Sequence, residues 1–202
     1  MITAIIGWVN FAVLAASALL FWFFYSKSAR PAALEKEIGE VAYRRCARYR
    51  SVAAALLFVA SANYVVYYFY PLPVGLPRTF PWPWWVPAVV AVLIALPSGY
   101  LWYRGLRDAG EETMVPKKEH TLYGGIYEKV RHPQALGELT IWWVMAFFLH
   151  SPFLALFSFV WVPIFCAMCL AEERDLVLRY GEAYEAYRQG TGFFFPKLRE
   201  VR

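Results

Sequence analysis

Long apolar stretches alternate with polar segments along the whole chain. Five stretches are almost entirely apolar, and they cover 2–25, 51–70, 86–103, 134–149 and 153–170. The first carries no charge and reaches the roughly 20 residues that a helix needs to cross a bilayer. The last two are shorter and are joined by a tight turn, which predicts an antiparallel helical hairpin. The pattern therefore predicts an all-α polytopic membrane protein with five transmembrane helices and a cytosolic C-terminal helical segment.

The basic residues are concentrated in three polar segments. Segments 26–50, 104–133 and 171–202 contain every Lys and Arg of the chain except Arg78. Cytoplasmic loops of membrane proteins carry such an excess, so we predict that these segments face the cytoplasm and that the N-terminus lies outside. Basic residues beside apolar spans are attracted by anionic lipid headgroups. The net charge of +5 therefore indicates membrane lipids as partners, and not nucleic acid.

Composition supports a single membrane-embedded domain over 1–202. Hydrophobic residues make up 60% of the chain and charged residues 17%, against about 25% charged residues in soluble domains. We divide the domain into three N-terminal spans, 1–103, and a C-terminal half, 104–202, which holds a loop, the hairpin and a last segment. Segment 26–50 is interpreted as a solvated surface segment without chemistry. Cys166 and Cys169 are interpreted as packing residues, so no metal site is predicted.

Two polar clusters flank the predicted hairpin and contain the candidate chemistry. The first runs from His120 to Pro133 and ends in Arg-His-Pro just before a helix, where proline suits the first turn. The second is Ala171-Glu172-Glu173-Arg174-Asp175. The position of Glu172 and Glu173 beside the bilayer calls for a partner such as Arg131 or a cationic ligand. Glu138 is an acid inside an apolar stretch, and such acids are functional candidates. We predict that the two clusters form one site at the membrane surface.

The order of these motifs resembles the isoprenylcysteine carboxyl methyltransferase and phospholipid methyltransferase superfamily of integral membrane enzymes. The resemblance covers 120–196 and rests on motifs in family order: His120-Thr-Leu-Tyr, Gly125-Ile-Tyr, Arg131-His-Pro, Glu172-Glu and Tyr180-Gly-Glu-Ala-Tyr. It implies methyl transfer from S-adenosylmethionine, bound in a cytosol-facing pocket roofed by the C-terminal segment. The acceptor would be a lipophilic small molecule or lipid that enters from the bilayer, such as a phospholipid amine, a thiol or a prenylcysteine.

The resemblance also implies which residues form the site. The expected cofactor-binding residues are His120, Thr121, Leu122, Tyr123, Gly125, Tyr127, His132, Pro133, Gln134, Ala135, Glu172 and Glu173, with Glu173 in a supporting role. The candidate catalytic residues are Arg131 and Glu138. In-line methyl transfer depends on positioning more than on a strong base, so the lack of an evident base is no objection.

Two positions depart from the superfamily pattern. Ala135 stands where a tyrosine is common, and Met168 stands where carboxyl methyltransferases carry an arginine suited to a substrate carboxylate. The second departure disfavours a carboxylate acceptor. Two alternative functions remain open: a sterol-reductase-like NADPH enzyme, suggested by Gly137-Glu138-Leu139 after His-Pro, and a non-catalytic membrane protein that binds a ligand. The acceptor atom and the oligomeric state are not predicted.

Overall fold

The structure is a helical bundle. A computed structural model describes residues 2–116 and 124–197, with the backbone only at 112. The α-helices are α1 (Ile2–Ser28), α2 (Pro31–Ile38), α3 (Val41–Phe69), α4 (Trp85–Ala109), α5 (Pro133–Phe148), α6 (Pro152–Phe157), α7 (Trp161–Tyr180) and α8 (Glu182–Gly190). Short 3-10 turns cover Gly110–Thr113, Gly125–Glu128 and Ser158–Val160. Within the described ranges the chain forms no strand, only one parallel bridge between Val130 and Gly192.

Four helical segments are long and apolar enough to cross a membrane: α1, α3, α4 and the continuous run Pro152–Tyr180. Helix α5 has 16 residues, which is about 24 Å at 1.5 Å per residue. That is shorter than a hydrocarbon core of about 30 Å. The all-α membrane fold is therefore confirmed with four candidate spans, and a fifth crossing by α5 stays a prediction.

Helices α1 and α3 pack along faces rich in small residues. The buried positions of α1 include Gly7, Leu14 and Ala18, and those of α3 include Ala53 and Ala60. Small side chains let helix backbones approach closely inside a bilayer. A polar contact adds to this face, because the Asn10 side chain donates to the carbonyl of Asn63 at 3.0 Å.

Helix α3 begins ten residues before the predicted span, at Val41. The first turns of α3 carry Arg44, Arg45 and Arg48, so this part of the sequence predicted a polar surface segment. Ala42 and Cys46 are nevertheless fully buried, four residues apart on one helix face. Helix α3 therefore starts where small residues begin to recur on one buried face, although the segment as a whole is polar.

Helices α4 and α5 are in close contact through glycine. A Cβ atom on Gly137 would lie 2.7 Å from the carbonyl oxygen of Ser98 and 2.8 Å from the backbone nitrogen of Trp102. A Cβ atom on Gly105 would lie 2.8 Å from the backbone nitrogen of Gln134. The close contact is therefore made at Ser98 and the facing glycine of α5, because a Cβ atom on Gly99 would have no neighbour within 4 Å.

The predicted hairpin is formed by α5 and the α6–α7 run. The chain reverses after Phe148, with His150 in the left-handed region at φ 56°. Ser151 caps the next helix by accepting from the backbone N–H of Leu154. Farther along the hairpin, the rings of Trp142 and Trp161 stack at 3.9 Å. This stacked pair lies in the bundle core, where the Trp161 ring N–H donates to the hydroxyl of Tyr64.

The polar segments meet at one end of the bundle. Arg50 donates to the carbonyl of Thr113 at 3.0 Å, which joins the first polar segment to the second. Asp175 accepts from the backbone N–H groups of Ala32 and Ala33 at 3.2 and 3.0 Å, which caps α2 from α7. At the opposite end the ring of Phe80 packs against the α5–α6 turn. The fold therefore places the charged segments around one potential site.

Candidate active site

A cavity opens at this charged end of the bundle. It contains about 880 Å³ of space that no protein atom fills, its open mouth included. Its wall is formed by the end of α1 and the start of α2, by α3, by the end of α4 and the turn after it, by the segment before α5 and the start of α5, and by α7. The lining residues are Tyr25, Ala29, Pro31, Arg50, Ala109, Thr113, Pro116, Tyr127, Arg131, His132, Gln134, Ala135, Glu138, Met168, Cys169, Glu172, Asp175, Leu176 and Arg179.

Helix α7 contributes one continuous face to the cavity. Its lining positions are 168, 169, 172, 175, 176 and 179. Steps of three and four residues keep side chains on the same side of an α-helix. The face changes from apolar to charged along the helix, since Met168 and Cys169 are buried and Glu172 is 26% exposed. A ligand in this cavity would therefore meet a buried apolar floor and a charged upper wall.

Glu172 is held by residues from the N-terminal half of the chain. The Tyr25 hydroxyl donates to Oε1 of Glu172 at 2.7 Å, and Nη2 of Arg50 lies 3.5 Å from the same oxygen. The guanidinium of Arg50 also lies 5.4 Å from the centre of the Tyr25 ring. The other carboxylate oxygen, Oε2, is 3.8 Å from Nδ1 of His132, which is longer than a hydrogen bond.

Glu173 points away from the cavity into a buried cluster. Its Oε1 accepts from Nε of Arg131 at 2.7 Å and lies 3.0 Å from Nε2 of His132. The Glu173 and Arg131 side chains are only 4% and 10% exposed. The predicted pairing of the glutamates with Arg131 is thus present for Glu173. The Arg-His-Pro turn and the paired glutamates meet directly.

The C-terminal tail packs on the same turn. The N–H groups of Arg131 and His132 donate to the carbonyls of Gly192 and Phe193 at 2.8 and 3.2 Å. Nη1 of Arg131 donates to the carbonyls of Arg188 and Thr191. The ring of Phe193 lies 4.8 Å from that of His132. Arg131 therefore joins α5, α7 and the tail.

The loop before this turn is fixed by the end of α4. Asp108 accepts from the backbone N–H of Ile126 at 2.9 Å. Gly125 has φ +62°, and a Cβ atom there would lie 2.2 Å from Asp108 Oδ2. Tyr127 is buried and donates to the carbonyl of Gly105 at 3.2 Å. Burial, followed by the nearby charge of Glu172, raises the pKa of Tyr127, so its hydroxyl is a neutral donor.

Glu138 lies at the α4–α5 side of the cavity. Its Oε1 accepts from Nε2 of Gln134 at 2.9 Å and from the ring N–H of Trp102 at 3.3 Å. Trp102 is 44% exposed on the surface of α4. Glu138 therefore links the cavity to an exposed aromatic side chain of α4.

The structure brings together many of the residues predicted from the sequence. Those that line the cavity are Tyr127, Arg131, His132, Gln134, Ala135, Glu138 and Glu172. Gly125, Pro133 and Glu173 do not line it: Gly125 makes the close turn at Asp108, Pro133 begins α5, and Glu173 holds the Arg-His pair. The predicted residues His120, Thr121, Leu122 and Tyr123 lie outside the described residues.

Several cavity residues were not predicted. Tyr25 and Arg50 come from helices that the sequence indicated only as apolar spans with a polar surface loop. Arg179 lies two turns after Glu172, and Asp175 belongs to the second predicted cluster but was not among the predicted site residues. The α7 residues could have been found from their helical spacing to Glu172. Local sequence carries no such signal for Tyr25 or Arg50, because they reach the site through tertiary contacts.

The fold and the cavity together define an integral membrane protein with a charged site at one end of a helical bundle. Residues 87–183, from α4 to the start of α8, match the family model described as phospholipid methyltransferase. The match confirms the superfamily resemblance predicted from the sequence. Comparisons with curated proteins and with solved structures found no match.

Proposed function

We propose that this protein uses S-adenosylmethionine to methylate a lipophilic acceptor in the membrane. The observation that carries the proposal is the position of Glu172. Its carboxylate is held by Tyr25 and Arg50 on one oxygen, while the other oxygen has no partner closer than His132 among the contacts found in residues 2–116 and 124–197. A carboxylate oriented in this way suits a cationic ligand. The family match to 87–183 supports the same reaction class.

The residues of the cavity suit this cofactor chemically. S-adenosylmethionine supplies an electrophilic methyl group on a sulfonium cation when it is bound. Carboxylates such as Glu172 suit its cationic groups, arginines suit its carboxylate, and aromatic rings such as Tyr25 and Tyr127 suit its adenine or sulfonium. Thr113 is also a lining residue, and its Oγ1 is buried with no hydrogen-bond partner in the described part of the chain.

The site residues divide into ligand contacts and supports. We assign Tyr127, Gln134, Ala135 and Glu172 to cofactor binding, with His132 at the boundary between the cavity and the Glu173 cluster. Gly125, Pro133 and Glu173 would shape the pocket from behind, and His120–Tyr123 are expected to complete it. The contacts of Arg131 favour a positioning role over the catalytic role predicted from the sequence.

Glu138 is the residue we assign to the acceptor side. It lines the cavity and accepts from Trp102, which lies on the outer face of α4. An acceptor from the bilayer would reach the site past this wall. The aromatic ring and the acid would then orient its polar group, while the apolar part stays in lipid.

The membrane arrangement remains as proposed from the sequence. We propose that α5 completes five crossings, that the N-terminus lies outside, and that the cavity and C-terminus face the cytoplasm. The meeting of the described segments 26–50, 104–116, 124–133 and 171–197 at one end supports this, because it brings most of their basic residues together. A soluble methyl donor would then reach the cavity from the cytoplasm.

The test is a binding titration followed by a transfer assay. The full chain, purified in lipid nanodiscs, is titrated separately with S-adenosylmethionine and with NADPH. Saturable binding of S-adenosylmethionine and not of NADPH is expected. Binding of NADPH alone would support a reductase, and binding of neither would support a non-catalytic protein. Incubation with radiolabelled methyl donor and a membrane extract should then yield a labelled lipophilic product, whose structure identifies the acceptor.

A further inference from the structure

Arg50 and Glu172 form an ion pair in the cavity wall between the two halves of the chain. They are 122 residues apart, and Nη2 of Arg50 lies 3.5 Å from Oε1 of Glu172. Glu172 lies within the family-matched region 87–183, whereas Arg50 lies on α3, outside it. Arg50 is therefore a site feature that the family match does not assign.

This pair differs from the other acid–arginine pair of the site. Charge-assisted hydrogen bonds are short, about 2.7–2.9 Å, and Arg131–Glu173 has this length at 2.7 Å. At 3.5 Å the Arg50–Glu172 pair is looser. The two arginines are about equally buried, at 12% for Arg50 and 10% for Arg131, whereas Glu172 is 26% exposed and Glu173 only 4%. Both members of the Arg50–Glu172 pair line the cavity, whereas Glu173 does not.

Both members of the loose pair are held in place by neighbours. Nη1 of Arg50 donates to the carbonyl of Thr113 at 3.0 Å, and the guanidinium lies over the Tyr25 ring. The Tyr25 hydroxyl donates to Glu172 at 2.7 Å. These contacts orient the two charged groups side by side without a short bond between them. A ligand that carries an ammonium and a carboxylate group on one carbon would contact both groups at once.

We propose that Arg50 and Glu172 form a subsite for an α-amino-acid zwitterion, in which Arg50 binds the carboxylate and Glu172 the ammonium group. This inference rests on the proposed function, because S-adenosylmethionine ends in such a group. It assigns the amino-acid end of the cofactor to a wall built by α1, α3 and α7. A bidentate guanidinium is well matched to a carboxylate.

The test compares two neutral thioether ligands that differ in this end alone. S-adenosylhomocysteine has the amino-acid group, and 5′-methylthioadenosine lacks it. Calorimetric titration of the wild-type protein in nanodiscs should show S-adenosylhomocysteine binding at least about tenfold more tightly, as expected for charge-assisted hydrogen bonds. Arg50→Gln should weaken the binding of S-adenosylhomocysteine by roughly 10- to 100-fold, while the affinity for 5′-methylthioadenosine changes little.

The matched control is Arg45→Gln. Arg45 lies on the same helix and also contacts a tyrosine, since its Nε donates to the Tyr49 hydroxyl at 3.1 Å, but it does not line the cavity. This variant should keep the wild-type preference for S-adenosylhomocysteine over 5′-methylthioadenosine. Arg50→Lys, which keeps the positive charge, should retain more of this preference than Arg50→Gln does.

Three results would overturn the subsite: equal wild-type affinity for the two ligands, an equal loss of both in Arg50→Gln, or the same loss in Arg45→Gln. The first result is measured on the wild-type protein alone, so the subsite can be tested even if a variant does not fold. Failure of the proposed function looks different, because the wild-type protein would then bind neither S-adenosylmethionine nor S-adenosylhomocysteine.

Discussion

Nε of Arg131 lies 2.7 Å from Oε1 of Glu173, and this bond joins two polar clusters that are 42 residues apart in the chain. The same arginine donates to the carbonyls of Arg188 and Thr191, so the C-terminal tail depends on it as well. The contact sets the arrangement of α5, α7 and the tail, and it leaves the neighbouring Glu172 to face the cavity.

Replacing Arg131 is therefore expected to loosen the tail. Arg131→Gln leaves the buried Glu173 without its arginine, and breaking a buried ion pair from one side costs about 3 kcal/mol or more. We expect a lower unfolding midpoint and faster proteolysis of the tail. Arg188→Gln is the control, because its ion pair with Glu185 is exposed and such pairs contribute little. Unchanged stability and protease resistance in Arg131→Gln would contradict this role.

Glu172→Gln is expected to weaken binding of S-adenosylmethionine without unfolding the protein. The substitution removes the negative charge but keeps a group of the same size, so the loss should be about 1–3 kcal/mol of binding free energy. Calorimetric titration measures it, and circular dichroism checks the fold. Glu185→Gln, an exposed change on α8, should bind as the wild type does. An affinity equal to wild type in Glu172→Gln would remove this residue from the site.

Gly137 is expected to be intolerant of a side chain. Gly137→Ala would place a Cβ atom against the backbone of α4, and overpacking typically costs about 1–3 kcal/mol. Unfolding in a denaturing detergent series measures the loss. Gly99→Ala is the matched control on the facing helix, because its Cβ atom would meet nothing within 4 Å. Equal stability of the two variants would show that α4 and α5 are not in close contact here.

Met168→Arg tests the class of acceptor. Met168 lines the cavity one helical turn before Glu172, at the position where carboxyl methyltransferases of the superfamily carry an arginine. The new cation is expected to produce measurable methylation of a prenylcysteine carboxylate, with Met168→Leu as the inactive control. A folded Met168→Arg protein that binds the cofactor but shows no such activity would refute this explanation of specificity.

Much of the fold followed from local sequence. The uninterrupted apolar run of α1 and the turn at His150–Pro152 were enough to predict a span and a hairpin, because these features depend on neighbouring residues. The predicted start of the second span, at residue 51, was wrong as the start of its helix, since a dense charge run concealed the buried Ala42 and Cys46.

The sequence by itself determined that this is a helical membrane protein, and it contained the motifs that resemble membrane methyltransferases. Burial of apolar residues in lipid and family motifs can both be recognised along the chain. Only the tertiary structure decided that Glu172 faces the cavity with Tyr25 and Arg50, while Glu173 turns to Arg131. Adjacent residues on a helix point about 100° apart, and their partners come from distant helices, so the contacts of each glutamate depend on how the helices pack.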